Sequence, residues 1–130
     1  MWIFTKDGFY SAVQHNESSD LLQVRARRRD DLERLAAAVG YSDAPIIELP
    51  DADYRWRLNV QRDDFAGYMS RAVESIDYET NVKGTLARGD KARKSAMMSV
   101  WSAMYSLQER QFDDVDPDQL ELFEWDFNES

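Results

Sequence analysis

The sequence of 130 residues contains no cysteine and a single histidine, His15. The absence of cysteine excludes disulfide bonds, a thiol nucleophile and every metal site that uses thiolate ligands. A single histidine excludes metal sites that need paired imidazoles. With only five glycines, the sequence also offers no glycine-rich loop that could cradle a phosphate. These absences predict a protein that has no metal or cofactor and is not an enzyme.

Long apolar runs are missing as well. The first apolar run ends at Phe4, no basic segment precedes it, and no later stretch approaches the length of a membrane span. We therefore expect a cytoplasmic protein without membrane contact. Hydrophobic residues still make up 43% of the sequence and aromatic residues 12%, which is enough apolar surface to build one hydrophobic core.

Charge is distributed unevenly along the chain. The formal net charge is −9, which argues against direct binding to nucleic acid. Residues 112–130 carry eight acidic side chains and no lysine or arginine, whereas residues 1–111 carry 16 basic and 17 acidic side chains. The sequence therefore predicts a nearly neutral domain over residues 1–111 and an acidic C-terminal tail over residues 112–130.

Short alternating segments in the first half predict β-strands. Trp2–Thr5 and Phe9–Gln14 flank Asp7-Gly8, a pair that can supply the positive φ of a tight hairpin. Leu21–Arg27 alternates apolar and polar residues, as a strand buried on one face does. The sequence therefore predicts a hairpin and a third strand before the first helix.

The middle of the chain predicts one helix and two further strands. Asp30–Val39 has apolar residues at helical spacing, acids in its first turn and Gly40 as a stop signal. Ile46–Leu49 lies between two prolines and suits an edge strand. Tyr54–Val60 alternates, which predicts a strand with Tyr54, Trp56, Leu58 and Val60 facing the core.

The second half predicts helices. Asp63–Ile76 and Lys91–Gln108 each place their apolar residues on one helical stripe, and Asp77–Gly89 contains a short candidate helix. The element order indicates an α+β fold with an antiparallel sheet of about five strands and two or three helices on one face. A ferredoxin-like arrangement is one option for this order.

Arginines recur at the outward positions of two predicted strands. Arg25 and Arg27 lie on one strand, and Arg55 and Arg57 lie on another. If these strands are neighbours, four guanidiniums share one face of the sheet and could bind phosphate or carboxylate through bidentate hydrogen bonds. Two other interpretations are a solvated face whose arginines pair with acidic residues, and a face that is covered by the acidic tail.

The tail contains a candidate docking peptide. Gln119–Phe123 reads Gln-Leu-Glu-Leu-Phe and resembles the pentapeptide with which bacterial DNA polymerases and repair factors dock on the replicative sliding clamp. The resemblance implies hydrogen bonds from the glutamine and burial of the leucines and the phenylalanine in hydrophobic pockets. The same residues could instead pack on their own domain or act as a general acidic interaction tail. The candidate partner-binding residues are Gln119, Leu120, Leu122, Phe123 and Trp125.

A second resemblance concerns the body of the chain. Five short stretches carry it, namely Gly8-Phe9-Tyr10-Ser11, Val24-Arg25-Ala26-Arg27 with Asp31-Leu32, Asp53-Tyr54-Arg55-Trp56-Arg57, Ile76-Asp77-Tyr78 and Val100-Trp101-Ser102. In order and spacing they resemble a widespread family of small uncharacterised bacterial proteins. The resemblance covers about residues 1–108 and implies no catalytic residue.

Together these observations predict a non-enzymatic binding or adaptor protein whose tail docks into a hydrophobic groove of a protein partner. The sliding clamp is the most specific candidate, which would place the protein in replication, repair or phage interference with them. One alternative is an acidic inhibitor or nucleic-acid mimic, such as a phage-encoded anti-defence protein. The other is a protein that binds phosphate or a small anion on its arginine-rich sheet face.

Overall fold

The computed structural model describes residues 1–79 and 82–112, apart from the side chain of Lys83. Five antiparallel strands form one open sheet in the order β1-β2-β3-β5-β4. The strands are β1 (Trp2–Phe4), β2 (Phe9–His15), β3 (Ser18–Ala26), β4 (Ile47–Glu48) and β5 (Trp56–Gln61). The helices are α1 (Arg29–Val39), α2 (Arg62–Glu74), α3 (Val82–Leu86) and α4 (Lys91–Arg110). This architecture confirms the α+β fold predicted from the sequence.

The first three strands follow one another as antiparallel neighbours, which differs from the interleaved order of a ferredoxin-like sheet. The turn between β2 and β3 is short, because β2 extends to His15 and β3 already begins at Ser18. β5 then pairs with β3, and the register aligns Arg25 directly with Arg57. Two basic side chains therefore lie side by side at the centre of the sheet.

The hydrophobic core lies on one face of the sheet, between β2, β3 and β5 and the helices α1 and α2. Alternation along the strands sends every second side chain to this face, as Leu58 and Val60 of β5 show. The fully or nearly fully buried core residues are Tyr10, Ala12, Leu22, Val24, Ala26, Leu32, Leu35, Ala36, Leu58, Val60, Phe65 and Tyr68. The alternate side chains of these strands, which are mostly polar, lie on the opposite face of the sheet.

The boundaries of α1 and α2 follow local signals in the sequence. α1 ends at Val39. Gly40 follows as its cap, adopts the left-handed conformation (φ 80°) and donates its backbone N–H to carbonyls of the last turn. α2 ends at Glu74, two residues before the predicted end at Ile76, and the backbone N–H of Ser75 still bonds to a carbonyl of the last turn. Ile76 is 72% exposed, so it does not belong to the core stripe of the helix.

The turn between β1 and β2 depends on the small size of Gly8. The hairpin forms as predicted, but Gly8 does not have the positive φ expected of Asp7-Gly8. Instead, a Cβ atom on Gly8 would lie 2.6 Å from Cβ and Cγ of Asp31. The Asp31 carboxylate is buried in α1, accepts a hydrogen bond from the backbone N–H of Phe9 (3.2 Å) and forms an ion pair with Arg34 (2.6 Å). Gly8 therefore permits the close approach between the hairpin and α1.

Residues 1–88 and 89–130 form two separate compact units. The described part of the second unit consists mainly of α4, which begins where the Asp90 side chain accepts a hydrogen bond from the backbone N–H of Arg93 (2.9 Å). The predicted boundary after residue 111 falls within this unit. Within residues 1–79 and 82–112, no helix has the length and apolar character that crossing a membrane requires.

The Gly8–Asp31 contact generates a stability prediction. We expect Gly8→Ala to destabilise the protein by about 2 kcal/mol, because the new methyl group cannot fit without displacing a buried, hydrogen-bonded carboxylate. Gly67→Ala is the matched control: the helix interior favours alanine, the nearest atom outside the helix backbone is the flexible end of Arg71, and stability should rise by about 0.5 kcal/mol. Urea unfolding of both variants measures the difference, and equal stability of the two would contradict the steric argument.

Candidate functional site

Two arginines lie against one tyrosine on the sheet face that is turned away from the core, and a third arginine lies beside them on the neighbouring strand. Arg25 is only 1% exposed, although it lies on the face of the sheet opposite α1 and α2. The ring of Tyr54, itself 2% exposed, covers it, with the Arg25 guanidinium carbon 4.7 Å from the ring centroid. The guanidinium carbon of Arg27 lies 4.3 Å from the same centroid. Arg57 completes the group from the neighbouring strand.

Hydrogen bonds fix the positions of these side chains. Arg25 donates from Nη2 to the hydroxyl of Ser11 (2.7 Å), its register partner on β2. Arg57 donates from Nη1 to the side-chain oxygen of Gln23 (2.9 Å). Arg27 donates to the backbone carbonyl of Asp53 (2.6 Å). The Nε atoms of Arg25 and Arg57 are both buried and have no hydrogen-bond partner.

The group carries more positive than negative charge. Its nearest acid is Asp53, whose carboxylate lies 3.6 Å from Nη2 of Arg57 and is half exposed. Burial, reinforced by repulsion from Arg57, lowers the pKa of Arg25, while Asp53 and Tyr54 act in the opposite direction. A guanidinium nevertheless stays protonated in proteins, so Arg25, Arg27 and Arg57 outnumber Asp53, the acid of residues 1–79 and 82–112 that lies against them.

The fourth predicted anion-binding residue, Arg55, lies apart from this group. Its guanidinium is half exposed, approaches the Glu48 carboxylate (3.4 Å) and lies against the ring of Trp56 (5.6 Å to the ring centroid). The structure thus brings together Arg25, Arg27 and Arg57 and leaves Arg55 in a local ion pair.

Two residues of this group were not among the predicted site residues. Tyr54 was expected to face the core as the first residue of a strand, but β5 begins only at Trp56. Tyr54 therefore lies in the preceding turn and covers the opposite face of the sheet. Asp53 comes with it, because its carboxylate accepts a hydrogen bond from the backbone N–H of Tyr54 (2.9 Å). Pro50 together with Asp51 and Asp53 is the signal in the sequence that could have indicated a turn.

An apolar groove of about 510 Å³ forms a separate feature of the first unit. It runs between the end of β1 and α2, and its apolar lining includes Phe4, Met69, Val73 and Ile76. Polar groups lie at one end of it. The Tyr68 hydroxyl donates to the carboxylate of Asp7 (2.7 Å) and also contacts the Thr5 hydroxyl (2.8 Å).

Burial of the Tyr68 ring and its hydrogen bond to Asp7 stabilise the neutral form of the tyrosine, whereas the contact with Thr5 acts in the opposite direction. Burial is the main cause of the raised pKa of Tyr68, and the bond to Asp7 acts in the same direction. Tyr10 lies edge-on to Tyr68 (6.4 Å between ring centroids) and donates its hydroxyl to the backbone carbonyl of Asp31 (2.7 Å). Burial likewise raises the pKa of Tyr10, so both phenols remain protonated well above their usual range.

Helix α4 presents an apolar stripe to solvent. The predicted stripe residues beyond its first turns are strongly exposed, Trp101 at 61%, Met104 at 58% and Leu107 at 59%. Trp101 and Tyr105 stack in parallel, with ring centroids 5.3 Å apart and an interplanar angle of 7°. Large apolar side chains in these numbers on one helix are unusual for a surface that has no binding role.

The predicted docking residues Gln119, Leu120, Leu122, Phe123 and Trp125 lie outside the described residues. Comparison with protein-family models, with curated proteins and with solved structures finds no match to this chain. The two resemblances noted in the sequence therefore stay predictions. Among residues 1–79 and 82–112, no three acidic or histidine side chains are grouped in a way that could hold a metal ion.

The buried phenols predict a loss of stability at alkaline pH. Tyrosine in the unfolded chain ionises near pH 10, whereas Tyr10 and Tyr68 in the folded protein do not. Their contribution to the free energy of unfolding is therefore complete below about pH 10 and falls above it. Above that pH, each phenol should lower the free energy of unfolding by about 1.4 kcal/mol per pH unit. Tyr68→Phe should remove one such slope. Urea unfolding between about pH 8 and pH 11.5 tests this, and equal slopes in wild type and Tyr68→Phe would contradict it.

Proposed function

We propose that this protein is a non-enzymatic binding protein that attaches to a protein partner through its C-terminal unit. The observation that carries the proposal is the exposed apolar stripe of α4. A 20-residue helix is roughly 30 Å long, which is enough to span a typical interface. Tryptophan, tyrosine and methionine are enriched in interfaces, and the first two also at their energetic centres; Trp101, Met104 and Tyr105 supply all three types.

The sequence after α4 indicates the chemistry of the partner. Residues 112–130 add eight acids without a compensating base and also contain Leu120, Leu122, Phe123 and Trp125. A surface that binds such a segment would combine apolar pockets with basic residues around them. Opposite charge of this kind speeds association and discriminates against wrong partners more than it adds affinity.

The replicative sliding clamp of bacteria is the candidate partner that the sequence supports best. Gln119–Phe123 resembles the peptides that dock on that ring. On this proposal, Gln119 forms hydrogen bonds at the rim of the pocket, while Leu122 and Phe123 fill it. Helix α4 then provides a second, adjoining contact, with Trp101 at its centre.

Titration of purified bacterial sliding clamp with the full-length protein tests this function. We expect Leu122→Ala combined with Phe123→Ala to weaken binding at least about 30-fold, because both anchors of the peptide are removed. Trp101→Ala combined with Met104→Ala should weaken it by a smaller factor, through loss of the α4 contact. Calorimetry or surface plasmon resonance measures both effects.

A matched control comes from the first unit. Val73 and Ile76 are as exposed as the α4 residues, at 61% and 72%, so Val73→Ala combined with Ile76→Ala removes exposed apolar side chains elsewhere. This variant should bind like the wild type. Absence of binding by the wild type, or equal binding by the wild type and the Leu122/Phe123 variant, would overturn the clamp as partner. Equal binding by the wild type and the Trp101/Met104 variant would exclude α4 from the interface.

A further inference from the structure

We propose that Arg27 and Arg57, with Arg25 beneath them, form a binding site for a dianionic oxyanion of the phosphate class. The site belongs to the first unit and does not depend on the proposed partner of the C-terminal unit. It differs from the arginine face predicted from the sequence, because Arg55 is not part of it and because Tyr54 and Asp53 are.

The charge of the group favours an anion of charge −2. Three guanidiniums and the Asp53 carboxylate leave two positive charges in excess. Arg25 contributes its charge from a position shielded from water, with 1% exposure, where the field of a charge is screened least. Among the described residues, the ion pairs give these guanidiniums only the Asp53 carboxylate, at 3.6 Å from Arg57. A bound dianion would balance the excess.

The accessible ends of Arg27 and Arg57 provide the direct contacts. Arg27 is an exposed residue, and the Arg57 side chain remains 17% exposed. Each guanidinium has five N–H donors in a planar fork that matches the oxygens of a phosphate. Arg27 uses one nitrogen for the backbone carbonyl of Asp53, and Arg57 uses one for Gln23, so both forks are held in place.

Arg25 has a different role in the site. It is fixed between the Ser11 hydroxyl and the ring of Tyr54, so its own donors do not reach solvent. It therefore acts through space, by raising the positive potential at Arg27 and Arg57. Its buried Nε has no hydrogen-bond partner among the described residues, so the charge of Arg25 is only partly compensated.

The Asp53 carboxylate competes with the anion for the guanidinium of Arg57. Its carboxylate lies 3.6 Å from Nη2 of Arg57, which is longer than a hydrogen bond and indicates a loose ion pair. It is also half exposed, so it can give way to a ligand. A phosphate oxygen at ordinary hydrogen-bond distance would interact with Arg57 more strongly than Asp53 does.

Titration of inorganic phosphate into ¹⁵N-arginine-labelled protein, followed by NMR of the arginine Nε–H signals, tests the site. We expect saturable shifts at Arg27 and Arg57. Asp53→Asn should strengthen binding about tenfold by removing the competing charge, and Arg57→Gln or Arg27→Gln should weaken it about tenfold. Arg55→Gln is the matched control on the adjoining turn and should bind phosphate like the wild type, because Arg55 pairs with Glu48.

Two further titrations, with dimethyl phosphate and with chloride, distinguish a free phosphate from a nucleic-acid phosphate and from a nonspecific anion. Dimethyl phosphate carries one charge, as a nucleic-acid phosphate does, and should bind about tenfold more weakly than inorganic phosphate. Chloride at the same ionic strength should produce no saturable shift. Equal shifts with chloride, or equal affinity of Arg27→Gln and Arg55→Gln for phosphate, would overturn the site. Arg27 is an exposed residue, so we expect Arg27→Gln to fold even where Arg57→Gln does not, and circular dichroism of each variant checks this.

Discussion

A permanent positive charge buried in the sheet constrains much of the first unit. Arg25 lies on β3, the central strand, and is shielded from water. Since a guanidinium cannot lose its proton, the surroundings must stabilise the charge rather than remove it. Ser11 accepts a hydrogen bond from it, and the π face of Tyr54 replaces part of its hydration. The turn before β5 must therefore fold over the sheet, and that turn also carries Asp53.

A second buried charge, the carboxylate of Asp31, lies on the helix-covered side of the sheet and is matched by its partners. The carboxylate of Asp31 accepts a hydrogen bond from the backbone N–H of Phe9 and pairs with Arg34 at 2.6 Å, so donors on two elements match one acid. This arrangement is balanced and joins α1 to the first hairpin. The arginine cluster is not balanced by the described residues, because Asp53 carries one charge against three and lies 3.6 Å from Arg57. The difference separates a structural ion pair from a group that can accept an external anion.

Alternation and helical spacing were sufficient to predict most of the fold. The alternating side chains of β3 and β5 correctly placed Arg25 and Arg57 on the face away from the core. The same pattern misplaced Tyr54, because alternation does not show where a strand begins, and a tyrosine can be buried on either side of a sheet. Gly8 was expected to serve a backbone conformation, but it serves a contact with Asp31 that lies 23 residues further along the chain. Contacts of this range depend on the packing of α1 against the hairpin, which local patterns do not contain.

The two proposed sites rely on different physical forces, and this decides how the net charge of −9 affects them. An apolar stripe such as that around Trp101 gains affinity from burial of surface, which salt hardly weakens. An anion site is opposed by the overall negative charge at long range and works only where its own cations are closer than the screening length, about 8 Å at physiological ionic strength. Arg25 and Arg57 are register partners on adjacent strands and meet this condition. The anion site can therefore operate on an acidic protein, because the local field of the cluster exceeds the screened field of the remaining charges.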